Sequence, residues 1–384
     1  MSVIIDSQLR TYSDQVSGLT KFNPFLQEVP KASSTPIGME KRRVTTSSSQ
    51  TLGNQLSFLL GSNDFIGDMY SIVKLTYGTG VAAKALAMSA IKRVELIGST
   101  GDIVDYDYNA IMSHLLQKKG AGFTETALRN AGPSGSQTEH LGCAIIPMPW
   151  SSIVTDKKRS PPLPGFLVNG SLEVRLTLRS TSDLTIGGVA PTGVECSLIY
   201  HSLQTIASLK QDMLALPSIV NWYKNFSTIS NLAVTNSPTT IDISQFQGTL
   251  RSISLRVQQD SVTAEGDYWT LDSLTDLQIN AGNQRIWETY VGAQYEINTD
   301  TLLLGSGDDG SQSVDTANVG NGVATVSFVG DSEELDFSGG LNMRAVRSAD
   351  VVAVSNNASS TMDILGESSA LISIKNHSIQ RFFN

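Results

Sequence analysis

Histidine is the side chain most often recruited as a general base or metal ligand, and this chain carries four: His114, His140, His201 and His377. They lie far apart in four different contexts. None falls in H-x-H or H-E-x-x-H, and none stands at ligand spacing from a cysteine, so the strongest metal signatures are missing. The same scatter argues against a cupin, whose barrel gathers its histidines. Gly305-Ser306-Gly307-Asp308-Asp309-Gly310 matches G-x-G-x-x-G, a motif that works when glycines bring backbone N–H groups and a helix N-terminus to a pyrophosphate. Here Asp308 and Asp309 would repel phosphate, and a polar Gly/Ser/Asn stretch follows where a helix is needed. A surface loop is the expectation, with a calcium-binding loop as the lesser reading. Neither G-x-S-x-G nor G-x-x-x-x-G-K-[ST] occurs. Glu333-Glu334 sits beside turn residues as a solvated edge, and the N-x-[ST] triplets at Asn169, Asn225, Asn357 and Asn376 are what chance gives in so Ser-rich a chain. These residues predict no enzyme, no cofactor and no metal site.

The elements that would position any chemistry must therefore be read for a structural role. With 384 residues there is ample material for buried cores. Lys+Arg of 27 against Asp+Glu of 36 gives a net charge of -9, which lacks the basic footprint of tight nucleic-acid binding. Charged residues make up 16%, against about 25% in ordinary soluble domains, so the surface is rich in neutral Ser, Thr, Asn and Gly. Such a surface suits a protein that buries its outside against copies of itself. Cys143 and Cys196 sit in apolar, strand-like runs and read as small buried hydrophobes; a disulfide between them is a matter of geometry that spacing does not supply. The N-terminal MSVIIDSQLRTYSDQ lacks a basic start, apolar core and small-residue cleavage site, so synthesis in a cytosol without secretion is expected.

Residues 1–48 carry Pro24, Pro30, Pro36, the basic Lys41-Arg42-Arg43 and a Thr/Ser run, and read as an extended N-terminal arm. From Thr51 the apolar pattern has period two, in short runs separated by Gly, Asn, Ser and Pro, which predicts an all-β sandwich or barrel. Residues 56–60, 70–75, 91–97, 172–178 and 194–200 read as strands of a first domain over 49–205. A second domain over 223–384 has strands at 249–257, 274–279, 323–329, 335–344 and 371–374. Between them, 206–222 reads as a helical linker because the segment 203–216 is helix-like and stops at Pro217. A further helix is predicted over 108–118, opened by Asp107 and ended by Gly120. A weak repeat links the halves: Ile91 to Leu96, then Ile103, Tyr106 and Tyr108, matches Leu274 to Ile279, then Ile286, Trp287 and Tyr290.

Four segments, in order, resemble double jelly-roll major capsid proteins of icosahedral DNA viruses with an internal membrane, the lineage of adenovirus and the large DNA viruses. They are LSFLLGSNDFIGDMYSIVKLTY at 56–77; AIKRVELIGSTGDIVDYDYNAI at 90–111; Ile145-Ile146-Pro147-Met148-Pro149-Trp150 with Pro161-Pro162-Leu163-Pro164 and the following strand; and Leu371-Ile372-Ser373-Ile374-Lys375-Asn376 with Phe382-Phe383. Residues 258–330 depart from the pattern, and the chain is shorter than most eukaryotic-virus members, which looks more like a tailless bacterial or archaeal virus. The resemblance implies an all-β fold of two consecutive eight-stranded jelly-roll β-sandwiches with a few short helices. It further implies a capsid protein whose homotrimers form pseudo-hexagonal blocks that tile a shell. Its partners would be itself, penton and minor capsid proteins and the internal membrane, with no direct nucleic acid, in a virion made in the host cytoplasm. The arm would lie at the base, where Lys41, Arg42 and Arg43 could touch anionic lipid. The competing expectation is a viral spike or secreted carbohydrate-binding β-sandwich.

Overall fold

The computed structural model describes residues 38–383, apart from 47–48, 62–63, 99–100, 119, 152, 155–161, 169–171, 205–206, 217, 261–267, 270, 283, 290–321, 330–339, 347 and 376–377. The first lobe contains β1 (Gly38–Thr45), β2 (Gln55–Leu60), β3 (Phe65–Val81), β4 (Ile91–Gly98), β5 (Gly101–Asp107), β6 (Gln137–Ile146), β7 (Leu163–Pro164), β8 (Leu172–Leu178) and β9 (Pro191–Gln204). The second contains β10 (Ser218–Val234), β11 (Thr239–Asp242), β12 (Thr249–Gln259), β13 (Leu274–Ala281), β14 (Gln284–Glu288), β15 (Val323–Ser327), β16 (Leu341–Asn342), β17 (Ala349–Ser355), β18 (Ser360–Lys375) and β19 (Ser378–Phe383). Helices α1 (Leu86–Ser89), α2 (Tyr108–Lys118), α3 (Gly120–Asn130) and α4 (Ala207–Leu214) lie between strands.

Two sheets make each lobe. The first lobe has the orders β1-β9-β3-β6 and β2-β8-β4-β5; the second has β10-β18-β12-β15 and β11-β17-β13-β14. Matching β1 to β10, β2 to β11 and onward to β9 and β18 makes the two lobes identical in strand order. Each is an antiparallel sandwich whose eight main strands have the crossings of a jelly roll, as expected, with the short β7 added on β3 in the first lobe and β16 on β12 and β19 on β18 in the second. The repeat has its physical counterpart here: the β4–β5 hairpin and the β13–β14 hairpin hold the same place in the two lobes. Tyr290, the last residue of the repeat, lies outside the described residues, as do Gly305 to Gly310 and Glu333-Glu334.

Local patterns account for the elements. In β8, Leu172, Val174, Leu176 and Leu178 are buried while Glu173, Arg175 and Thr177 point outward, the period-two signature of a sheet with one covered face. Helix α2 starts where the Asp107 Oδ1 accepts the Ala110 backbone N–H at 3.0 Å, a cap that satisfies one of the helix's orphan donors. Gly120 does not end the helical path as expected; it opens α3.

The arm over 1–48 needs correction. Residues 38–45 are β1, paired with β9 in continuous register from Gly38↔Gln204 to Thr45↔Ser197. An edge strand is held by backbone hydrogen bonds along one side and can be polar throughout, which is why its composition reads as an arm. Residues 1–37 lie outside the described residues. The helical linker over 206–222 is helical only to Leu214, and β10 has begun by Ser218. Of the strand expected at 335–344, the described part is β16, followed by a turn.

The cores do not divide as the sequence does. One cluster, with Ile253, Leu255, Leu277, Val351 and Ile364, lies inside the second lobe. The other fills the first lobe but also takes Tyr223, Phe226, Leu365, Ile372, Ile374 and Ile379 from β10, β18 and β19. The long strands of the second lobe thus run past their own sandwich and seal the first.

Candidate functional site

The expected basic site is on β1, where successive side chains point to opposite faces of the sheet. Arg42 points inward and is half-buried, while Lys41 and Arg43 are exposed. The Arg42 guanidinium donates to Glu40 at 3.0 Å and to Asp64 at 3.1 Å. Asp64 also accepts from Lys210 of α4 at 2.7 Å and from the Ser202 hydroxyl at 3.3 Å. One buried carboxylate therefore ties the edge strand, the start of β3 and the linker helix together, and Arg42 is an internal clamp. The Lys41 ammonium lies 5.2 Å from the Tyr70 ring centroid, in cation–π range.

The most heavily charged buried region lies between the lobes, and the sequence reading did not find it. Strand β12 is buried on both faces: Ile253, Leu255 and Val257 enter the core of the second lobe, while Ser252, Ser254, Arg256 and Gln258 face the first lobe. Helix α2 lies over this polar face. On the neighbouring β18, Glu367 is 1% exposed and meets Lys118 of α2 at 2.9 Å, Lys224 of β10 at 3.4 Å, His114 Nε2 at 3.4 Å and Arg251 at 4.0 Å. Burial alone would push the Glu367 carboxyl up, but Lys118 and Lys224 hold it well below the usual carboxylate range.

A hydrogen-bond chain fixes the imidazole. The Thr325 hydroxyl donates to Gln117 Oε1 at 2.8 Å, so the Ser254 hydroxyl donates to Thr325 at 2.7 Å, and His114 Nδ1 is left to donate to Ser254. Burial, with Lys118 beside it, pushes this imidazole down to about 4 against the pull of Glu367.

Four residues earlier on the same face of β18, Asp363 accepts from Arg256 at 3.2 Å and from the Asn231 backbone at 3.0 Å. Asp107, from the end of β5, faces this group. Burial and the negative charge of Asp363 push its carboxyl up to about 6, against the opposing pull of Arg179. The Arg179 guanidinium stacks 3.8 Å from the Tyr268 ring centroid, a second first-lobe to second-lobe contact. The legible signal for this seam was two carboxylates, Asp363 and Glu367, four apart in an apolar and Ser-rich run. It passes for a solvated face unless another lobe is known to cover it.

The remaining chemistry-bearing residues stay dispersed. His140 is buried with Nε2 near the carbonyls of Val81 and Gln137, both at 3.2 Å; His201 is half-exposed on β9; His377 lies outside the described residues. Cys143 and Cys196 are both free; Cys196 is buried beside Ser71 as expected, whereas Cys143 is half-buried on the outward face of β6. Among the described residues no group of His, Cys, Asp or Glu could hold a metal ion, and no helix is long and apolar enough to cross a membrane.

No family model matches the chain, and no curated protein matches it. Solved structures do. A crystal structure of PBCV-1 VP54, fitted into a cryo-EM reconstruction of the virophage Sputnik, is 12% identical with a TM-score of 0.75 over 93% of this chain and 99% of that chain. The Faustovirus major capsid protein is 10% identical with a TM-score of 0.64 over 97% of each chain. The mavirus major capsid protein is 9% identical with a TM-score of 0.57, over 92% of this chain and 91% of that one. Nearly the whole length of both lobes is shared, and at these identities what is shared is the fold.

Proposed function

We propose that this chain is the major capsid protein of an icosahedral DNA virus with an internal membrane, and that three copies form a pseudo-hexameric block that tiles the shell. The carrying observation is the tandem of two lobes with one strand order, locked side by side by a buried charged seam. Three such two-lobed units supply six similar lobes, the shape needed to pave a flat facet. The likeness to capsid proteins over more than nine-tenths of the chain supports this reading over a carbohydrate-binding sandwich. The role is structural: the buried carboxylates, lysines and arginines are spent on each other and on holding the lobes together.

In this reading the strands stand nearly normal to the shell, penton and minor capsid proteins complete the particle, and the base faces the membrane. The chain is made in the host cytoplasm and ends in the virion. Arg42 is committed to Asp64 and Glu40, so Lys41 and Arg43 are the members of the basic cluster left for an outside partner, whether anionic lipid or a neighbouring copy. Light scattering on the purified chain over a range of concentrations tests the proposal. A concentration-independent trimer with pseudo-hexagonal outlines in negative stain is the expected result; a strict monomer at every concentration overturns it.

A further inference from the structure

The sheet β10-β18-β12-β15 does not end with the second sandwich. Strand β18 pairs with β12 from Ser360 to Ser368, and beyond that, from Ala370 to Lys375, its partner is β19. It stays paired with β10 throughout, until Lys375 stands against Ser218. The three strands β10, β18 and β19 thus continue past the second lobe as a small sheet of their own.

The side chains of this extension serve the first lobe. Successive residues of a strand point to opposite faces, so Ile372 and Ile374 share one face, and the register sets Ile379 of β19 directly across from Ile374. Tyr223 of β10, across from Ala370, is on that face too. All four belong to the cluster that fills the first lobe, with Ile379 at 1% exposure. Strand β19 also packs beside β5, and Trp150 stands edge-on to Tyr223. The same β18 carries Glu367, the carboxylate that meets Lys118 and His114 of α2. Burying α2 against the second lobe before Glu367 is in place would take Lys118 out of water without this carboxylate, and breaking a buried pair is strongly destabilising.

Chain order sets these contacts against the usual course of folding, in which the N-terminal unit closes first during synthesis. The first lobe's strands run from residue 38 to 204, whereas β18 and β19 follow every other strand of both lobes. We infer that the β18–β19 hairpin is a closing strap: the first lobe, though synthesised first, stays open until this hairpin has emerged and docked, and the two lobes then close in one step. The inference concerns the single chain and holds whatever that chain assembles into.

Cys196 reads the state of the first lobe, because it lies in that lobe's core, where burial pushes its thiol up to about 11 and keeps it inert. Cys143 is half-buried on the outward face of β6, so Cys143→Ser spares the core and leaves Cys196 as the single cysteine. Full-length Cys143→Ser chains are stalled on the ribosome through a flexible Gly/Ser tether added after Asn384. A short tether holds β18 and β19 inside the exit tunnel, and a long one releases them. Maleimide is expected to label Cys196 on the short tether, and labelling should be lost on the long one. On the long tether Ile379→Asp should restore labelling, while Ile379→Val should keep Cys196 protected. Protection on both tethers overturns the inference, because the first lobe then closes without the hairpin. Labelling on both overturns it as well, because emergence of the hairpin is then not what closes the lobe, and so does protection of Cys196 in Ile379→Asp.

Discussion

Glu367 is the residue on which most depends, because this single buried carboxylate faces Lys118, Lys224, His114 and Arg251. Such a pair is weak evidence of net stabilisation, since desolvation offsets the attraction, yet removing one partner strands the others. Glu367→Gln is therefore expected to destabilise the chain by about 3–5 kcal/mol, read from denaturant unfolding. Its pH behaviour follows from linkage. A carboxyl held low contributes stability above its unfolded value, and that stability is lost as pH falls through the lower folded value. His114 and Asp107 act in opposite directions over a shared range. The folded state resists protonating His114, so stability falls as pH drops from 6.5 to about 4. The folded state protonates Asp107 first, so stability rises as pH drops from about 6 to 3.8. The two contributions oppose each other in the intact chain and separate in variants. Between about pH 7 and about pH 4.5, His114→Gln should gain stability relative to wild type and Asp107→Asn should lose it, as compared from unfolding midpoints at the two values. Asn keeps the helix cap, so the second comparison isolates the titration. Unchanged pH slopes in both variants would remove these groups from the linkage. None of this was legible in the sequence, where His114 and Glu367 stand more than two hundred residues apart and each looks like a residue of a solvated face.

At the scale of elements, the strands that the sequence made plain are those with one covered face, such as β8 and β2, where alternation survives because the other face is wet. The long β10, SIVNWYKNFSTISNLAV, was missed because its alternation is broken by service to two lobes: Phe226 and Tyr223 enter the first lobe's cluster while Val234 enters the second's. Strand β1 was missed for the opposite reason, being a polar edge fixed by its neighbour and by Asp64. That carboxylate can be tested alone. Asp64→Ala should speed amide hydrogen exchange in β1 and α4 together, since Arg42 and Lys210 lose the same partner; acceleration of only one would mean the clamp is not shared. Trp150 marks another junction. Its Nε1 donates to the Gly67 carbonyl at 3.3 Å, and its ring stands edge-on to Tyr223 of β10 at 6.5 Å. At 3% exposure it is a core residue, so Trp150→Ala should cost about 3–5 kcal/mol in denaturant unfolding. A cost near zero would move the Pro-Met-Pro-Trp segment out of the core.

At the scale of the molecule, the two jelly rolls are separate in topology and joined in substance. A cut at the linker, where the sequence places the boundary, would take Tyr223, Phe226, Ile372, Ile374 and Ile379 away from the first lobe's core and leave its apolar surface in water. It would also part Lys118 and His114 from Glu367, which keeps Lys224 and Arg251 in its own half. The lost apolar burial is large against a net stability of about 5–15 kcal/mol, so the first lobe is not expected to stand by itself. Two consequences can be measured. Calorimetry of the full chain should show a single transition whose calorimetric and van't Hoff enthalpies agree, because neither lobe can melt while the other holds. The fragment of residues 38–205, expressed alone, should lack dispersed amide resonances and bind a hydrophobic dye, while the full chain does neither. Two resolved transitions, with a folded first-lobe fragment, would mean that the shared strands are an ornament on two independent sandwiches. A single transition would mean that the shell's building block is cooperative across both lobes, so that a facet assembles from units that are either wholly folded or absent.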